Sequence, residues 1–204
     1  MRHDASALLT AVIDGDAAAA RRVLAAEPAL ASMPFPLKGA TRSASGVFFF
    51  DAISHYLYAG DTPLHMAAAA FDARIARMLI DRGADLRARN RRGAEPLHYA
   101  ADTNHWRPSA QRKTIEALLA GGAAPNAVDK SGVAPLHRAV RTRSSAAVAA
   151  LIVGGADVNL RNGRGSTPLA IARVTSGRGG SGSDRARAEQ RKIIEILERA
   201  GARE

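Results

Sequence analysis

The 204-residue chain is 47% hydrophobic but only 4% aromatic, so its interior must be built from Ala, Leu, Val and Ile, a composition suited to short, closely packed helices. It has no cysteine, which excludes disulfides, cysteine zinc sites and thiol nucleophiles. Its 29 Lys and Arg against 19 Asp and Glu give a net charge of +10, a balance that attracts nucleic acid, anionic membranes and acidic protein surfaces alike. Since a GC-rich coding sequence produces the same joint excess of Arg and Ala, charge alone designates no polyanion ligand.

The first predicted element is the apolar run Ala5 to Ile13. Bracketed by Asp4 and Asp14 and too short to span a bilayer, it points to a soluble, cytoplasmic protein. Asp14-Gly15-Asp16 breaks it, and Val23 and Leu24 mark a second helical stripe. Residues 32–60 hold six of the nine aromatic residues: Phe35, Phe48, Phe49, Phe50, Tyr56 and Tyr58. Val47 to Tyr58 could be a helix using Phe49, Ile53, Tyr56 and Leu57, or a hairpin in which Phe48, Phe50, Tyr56 and Tyr58 share a face. The expected form is a short helix followed by an extended Tyr56 to Asp61. The cluster is expected to fold back on the groove or first unit rather than to serve as a partner hot spot, because exposed apolar patches are uncommon.

From residue 62 a tetrapeptide recurs: Thr62-Pro63-Leu64-His65, Glu95-Pro96-Leu97-His98, Ala134-Pro135-Leu136-His137 and Thr167-Pro168-Leu169-Ala170, at spacings of 33, 39 and 33. Each copy runs into small residues such as Ala67-Ala68 or Ala100-Ala101, then into a second apolar run. Those runs are Ile75, Met78 and Leu79; Ile115, Leu118 and Leu119; Val148, Leu151 and Ile152; and Ile193, Ile194 and Leu197. Glycines at 83, 122, 155 and 201 follow. Proline at a first helical turn costs no hydrogen bond, the i, i+3, i+4 spacing makes one buried stripe, and glycine enters a left-handed cap without steric cost. Asn90-x-x-Gly93, Asp129-x-x-Gly132 and Asn162-x-x-Gly165 read as side-chain-capped turns.

In period and in T-P-L-H-x-A signature the sequence resembles the ankyrin-repeat family. The resemblance implies an all-α solenoid of stacked helix-turn-helix units with projecting finger turns. The whole chain, 1–204, then reads as one domain. Residues 4–31 form a degenerate first unit, 32–60 an aromatic-rich insertion, 62–94, 95–133 and 134–166 the regular repeats, and 167–204 a terminal repeat with a glycine-rich loop at 175–183. In the family the tetrapeptide histidine is a structural hydrogen-bonding group between neighbouring units, which is the role expected of His65, His98 and His137. Stacked helices lie about 8–10 Å apart, too far for these imidazoles to share one metal.

Two further segments interrupt the period. An insertion within Asp102 to Gln111 reads as an exposed loop holding the single Trp106, with Ser109 capping the next helix. Gly177 to Gly182 spells G-x-G-x-x-G, but a repeat's first helix precedes it where a dinucleotide fingerprint needs a strand, so a flexible loop is expected. His98, Asp102 and His105 fall at i, i+4 and i+7, a spacing that could hold zinc on a continuous helix; His105 lies in the insertion, where helix geometry is expected to end. No catalytic residue, metal site or cofactor is expected.

The resemblance also carries over a binding surface. Finger tips supply Arg89, Arg91, Arg92, Lys130, Arg161 and Arg164, and the ends of first helices supply Ala69, Asp102 and Arg141, with Trp106 beside them. A row of arginines would orient acidic protein surfaces through paired carboxylate contacts. The implied activity is binding of another protein by a monomeric, non-catalytic module that does not engage membranes. Nucleic acid is the alternative ligand, disfavoured because no aromatic residues interleave with the row for base stacking.

Overall fold

A computed structural model describes residues 2–36, 38–41, 43–44, 46–102, 106–174 and 183–204. Among these, ten α-helices form five consecutive pairs: α1 (Arg2–Ile13) with α2 (Ala17–Ala26), α3 (Pro63–Ala69) with α4 (Ala73–Ile80), α5 (Pro96–Ala101) with α6 (Pro108–Ala120), α7 (Pro135–Arg141) with α8 (Ser145–Val153), and α9 (Pro168–Arg173) with α10 (Asp184–Arg199). First helices pack on first helices, α1 to α3 to α5 to α7 to α9, and second helices on second helices, α2 to α4 to α6 to α8 to α10. The result is an all-α stack of two helical layers.

The repeated residues explain this packing. Leu64, Leu97, Leu136 and Leu169 occupy matching interior sites, each at most 3% exposed. Facing them, Ile75 and Leu79, Ile115 and Leu118, Val148 and Leu151, and Ile193 and Leu197 are buried on the second helices. Proline opens each first helix from α3 onward. The small residues after it let neighbouring first helices approach, and Ala67, Ala68, Ala100, Ala101 and Ala139 are fully buried.

Histidine ties unit to unit. The Nδ1 atoms of His65, His98 and His137 accept from the backbone N–H of Thr62, Glu95 and Ala134 at 3.2, 3.1 and 3.2 Å. Their Nε2–H groups then donate to the carbonyls of Ala94, Val133 and Leu160, each at 3.0 Å, at the base of the following finger. One ring therefore caps its own helix and holds the next unit. Where Ala170 replaces the histidine, Thr167 Oγ1 takes over capping by accepting from Ala170 N at 3.2 Å.

The finger turns form as their sequences predict. Asn90 Oδ1 accepts from Arg92 and Ala94, Asp129 Oδ1 from Ser131 and Val133, and Asn162 Oδ1 from Arg164 and Ser166, at 2.8–3.1 Å. Glycine is required at 132: its φ is +68°, and a Cβ there would lie 2.6 Å from the Gly163 nitrogen of the next finger.

Two local expectations are corrected. Residues 49–56 form a miniature hairpin, not an α-helix: after a 3-10 turn at Gly46–Phe48, the strands β1 (Phe49–Phe50) and β2 (His55–Tyr56) pair antiparallel and flank a second 3-10 turn at Asp51–Ile53. The register sets Phe49 opposite Tyr56, with rings 4.8 Å apart, so Phe49 rather than Phe50 shares Tyr56's face. The physical cause is docking: the His55 ring packs 4.3 Å from that of Tyr99 on α5, while Ile53 and Leu57 enter the core. The hairpin thus folds back on the stack. Before α6 the helix opens at Pro108 with Arg107 as its cap residue, and Ser109 lies inside the first turn, because proline's fixed φ and missing N–H suit the first helical position better than a loop. The glycine-rich motif at 177–182 lies outside the described residues, whereas α10 begins at Asp184 with Ser183 Oγ accepting from Ala186 N.

Since the stack is held by matched leucines, truncating one in the middle should cost more than its transfer energy alone. Leu97→Ala is expected to lower the unfolding free energy by about 2–5 kcal/mol, measured by urea titration followed by circular dichroism.

Candidate protein-binding surface

The first two fingers are joined to each other, and the first to the segment before α3, by backbone bonds. Arg91 N donates to Ala59 O at 2.7 Å and Lys130 N to Arg92 O at 3.0 Å, while Arg89 donates from Nε to Gly93 O at 3.1 Å and from Nη2 to Val128 O. This fixes the first two tips relative to each other, so residues borne on them project at a set interval. Arg91, Arg92, Lys130 and Arg164 are exposed there, and among the described residues none of the four has a carboxylate partner. Arg161 is also exposed but is drawn back onto carbonyls, donating to Gly165 O at 2.7 Å and Glu204 O at 3.3 Å.

The residues at the ends of first helices have different environments. Ala69 is fully buried and can make no surface contact. Asp102 is also not a free carboxylate: it accepts from Arg138 Nη1 at 2.7 Å and from Arg141 Nη2 at 3.3 Å. Arg138 belongs to the candidate surface and has no signal in the sequence pattern. Its side chain is 5% exposed and its other nitrogen, Nη2, donates to Asp129 Oδ2 at 2.8 Å. It therefore ties the end of α5 to the second finger through a buried, doubly paired guanidinium. Burial alone would raise the Asp129 carboxyl, but the hydrogen bonds from Arg138, Val133 and Ser131 outweigh it and hold the group below the usual carboxylate range.

Trp106 is 41% exposed and does not stand free. The Arg185 guanidinium of α10 sits 3.5 Å from its ring centroid, a cation–π contact that links the insertion before α6 to the last helix. Together the fingers, α7, α9 and the start of α10 enclose a groove of about 1410 Å³. Of the residues predicted for binding, Arg92, Asp102, Trp106, Arg141 and Arg164 line it. Arg89, Arg91, Lys130 and Arg161 lie outside it.

The structure also places an aromatic ring beside the basic row. Tyr58, brought there by the hairpin, lies 5.4 Å from the Arg91 guanidinium and 5.2 Å from that of Arg92. Its ring orients two cations and is engaged by them. Beneath it Asp61 is fully buried, accepting from Tyr58 N at 2.6 Å, Asn90 Nδ2 at 2.9 Å and the Tyr99 hydroxyl at 3.0 Å. Burial raises the Asp61 carboxyl to about 6 against these hydrogen bonds. Burial likewise lowers His65 and His98 to about 4, with the Arg138 charge adding to the effect on His98.

Both nitrogens of His98 are occupied by backbone partners, Asp102 is held by arginines, and His105 lies outside the described residues, so the candidate zinc spacing is not assembled. Among the described residues no group of three or more His, Asp or Glu side chains is placed to hold a metal ion, and no helix is long and apolar enough to cross a membrane.

Against known families, residues 59–91 and 92–130 each match the pattern described as "Ankyrin repeat", and residues 118–172 match "Ankyrin repeats (many copies)". The chain belongs to the ankyrin-repeat family. Ankyrin repeats are protein–protein interaction modules. Over 118 residues, 57% of its length, the chain is 36% identical to the E3 ubiquitin-protein ligase KEG of Arabidopsis thaliana, covering 7% of that protein. It is 36% identical over 114 residues, 55% of its length, to human neurogenic locus notch homolog protein 1, covering 4% of that protein. With the mouse B-cell lymphoma 3 protein homolog it shares 34% identity over 117 residues, 57% of its length and 25% of that protein's. The chain thus spans a small part of each of these relatives, and the likeness is one of repeats.

Two measurements check this account. In Arg138→Leu the largely buried Asp129 loses its one salt-bridge partner and Asp102 the closer of its two, so stability should fall by about 3–5 kcal/mol; adding Asp102→Asn and Asp129→Asn should recover most of the loss, since asparagine already caps the other two finger turns. For pH, an unfolded chain takes up protons on His65 and His98 near their ordinary 6.5, whereas the folded chain refuses them down to about 4. Stability from this source is lost as pH falls through that window. Asp61 opposes the trend: folded, it keeps its proton up to about 6, against an ordinary 3.8, so its contribution is lost as pH rises through 6. His55 and His137 are also lowered by burial, and the histidines prevail. The urea midpoint should drop between pH 7 and pH 5, and Asp61→Asn should steepen the drop.

Proposed function

We propose that this chain is a non-catalytic binding module that holds an acidic surface of a protein partner on its concave, finger-bearing side. One observation carries the reading: Arg91, Arg92, Lys130 and Arg164 stand exposed on successive fingers, the first two of which are bonded backbone to backbone, and among the described residues no carboxylate pairs with them. Unpaired cations at fixed spacing steer an oppositely charged surface and set its register. Arginine strengthens this because its planar fork binds carboxylates bidentately. Asp102 and Arg141, paired directly with each other while Asp102 is also held by Arg138, serve in this reading as a rigid floor, with Arg89 and Arg161 bracing finger backbones. The nucleic-acid alternative gains no support from Tyr58, whose ring is already engaged by two guanidinium groups.

Affinity capture from the source cell tests the reading. Proteins recovered with the wild-type chain should be depleted about tenfold or more by Arg91→Glu/Arg92→Glu, as expected if two charge-assisted contacts become repulsive. Equal recovery of the same proteins by both chains would remove the basic row from the binding surface.

A further inference from the structure

The described residues leave five large hydrophobic side chains exposed, and two of them, Trp106 at 41% and Val174 at 59%, line the same groove. Both come from departures from the 33-residue period: Trp106 from the insertion before α6, and Val174 from the end of α9, where the chain leaves the repeat pattern. Arg143, Arg164 and Arg185 line the groove with them, and among the described residues none of the three has a carboxylate partner. The acidic residues of the groove do not fill this role. Asp102 and Asp129 are taken by Arg138 and Arg141, and Glu189 accepts from Ser145 N at 3.0 Å and pairs with Lys192.

Arg143 adds an independent sign. It is one of only three non-glycine residues with positive φ among the described residues, at +58°, and its Nη1 atom is buried without a hydrogen-bond partner. A buried donor lacking an acceptor is uncommon and calls for a reason, and Arg138 Nε in the same groove is a second one.

We propose that this groove holds an extended acidic segment of a protein partner, with one aliphatic side chain seated against Val174 and Trp106 and flanking carboxylates on Arg143, Arg164 and Arg185. The proposal rests on the chain being a protein-binding module and adds where and by what chemistry a segment is gripped. An aliphatic seat favours a peptide over an oligonucleotide, whose bases need open aromatic faces; here the Trp106 ring is faced by Arg185.

Trp106 is the only tryptophan, so its emission reports on the groove. The probe is a short synthetic peptide with one leucine flanked by Glu and Asp and no aromatic residue, compared with its Gln and Asn counterpart and with a single-stranded RNA oligonucleotide. The acidic peptide should produce a saturable emission change that the amide counterpart does not. Its Kd should rise about tenfold or more in Arg143→Gln, the loss expected for a charge-assisted hydrogen bond, and similarly in Val174→Glu, which alters an exposed position and so keeps the test alive should Arg143→Gln misfold by circular dichroism. No saturable change, unaltered affinity in a folded variant, or tighter binding of the RNA would each overturn the proposal. The broader reading would then still be decided by the Arg91/Arg92 capture, which uses the finger tips.

Discussion

The stack depends on a neutral imidazole. In each of three units the histidine ring must accept a backbone N–H on one side and donate to the next unit's carbonyl on the other, and only the uncharged ring can do both. Burial keeps it uncharged. The same burial that the leucines generate by driving helices together therefore maintains the protonation state that lets the units be bonded in register. Hydrophobic packing supplies most of the stability of such an array, but it is directionally permissive, and the imidazole bond decides how one unit is placed on the next.

Finger placement follows from that register, and the surface chemistry follows from the fingers. The Nε2–H bonds fix finger bases, the side chains of Asn90, Asp129 and Asn162 fix the tips, and a backbone bond from Lys130 N to Arg92 O aligns the first two. The exposed arginines are therefore presented by a scaffold whose ordering cost is met on folding rather than on binding, which favours affinity through preorganisation. Arg138 extends the rigid part from the second finger to the end of α5 by joining Asp129 to Asp102.

Much of the fold was legible because its signals are local and recurrent. Thr-Pro-Leu-His, the apolar stripe and the glycine stop lie within one unit, and their repetition at 33 and 39 residues leaves little freedom of interpretation. The hairpin was ambiguous for the opposite reason. Phe48 to Tyr58 has apolar residues at spacings that satisfy both periods, and the choice is made by His55 packing on Tyr99, a contact that the local pattern does not encode. Arg138 escaped notice because, beside His137, it reads as an ordinary exposed residue of a short helix; its two carboxylates come from 36 and 9 residues away. The Trp106–Arg185 contact has no sequence signal at all, since it joins two segments that both depart from the period. Asp61 offered a faint one, an acidic residue directly before a helix-opening Thr-Pro, but nothing local showed it buried under Tyr58.

The second rung of the histidine ladder spans 35 residues where the first spans 29, yet both bonds measure 3.0 Å. Register in this molecule is thus gauged across the stack and not along the chain. Material added between α5 and α6 leaves the histidine bonds to the units above and below unchanged, so that junction can differ in length while the stack keeps its register, and what it adds is a contact of its own, Trp106 on Arg185 of α10. An architecture of this type separates the residues free to drift toward new partners from those that must stay constant for the array to form.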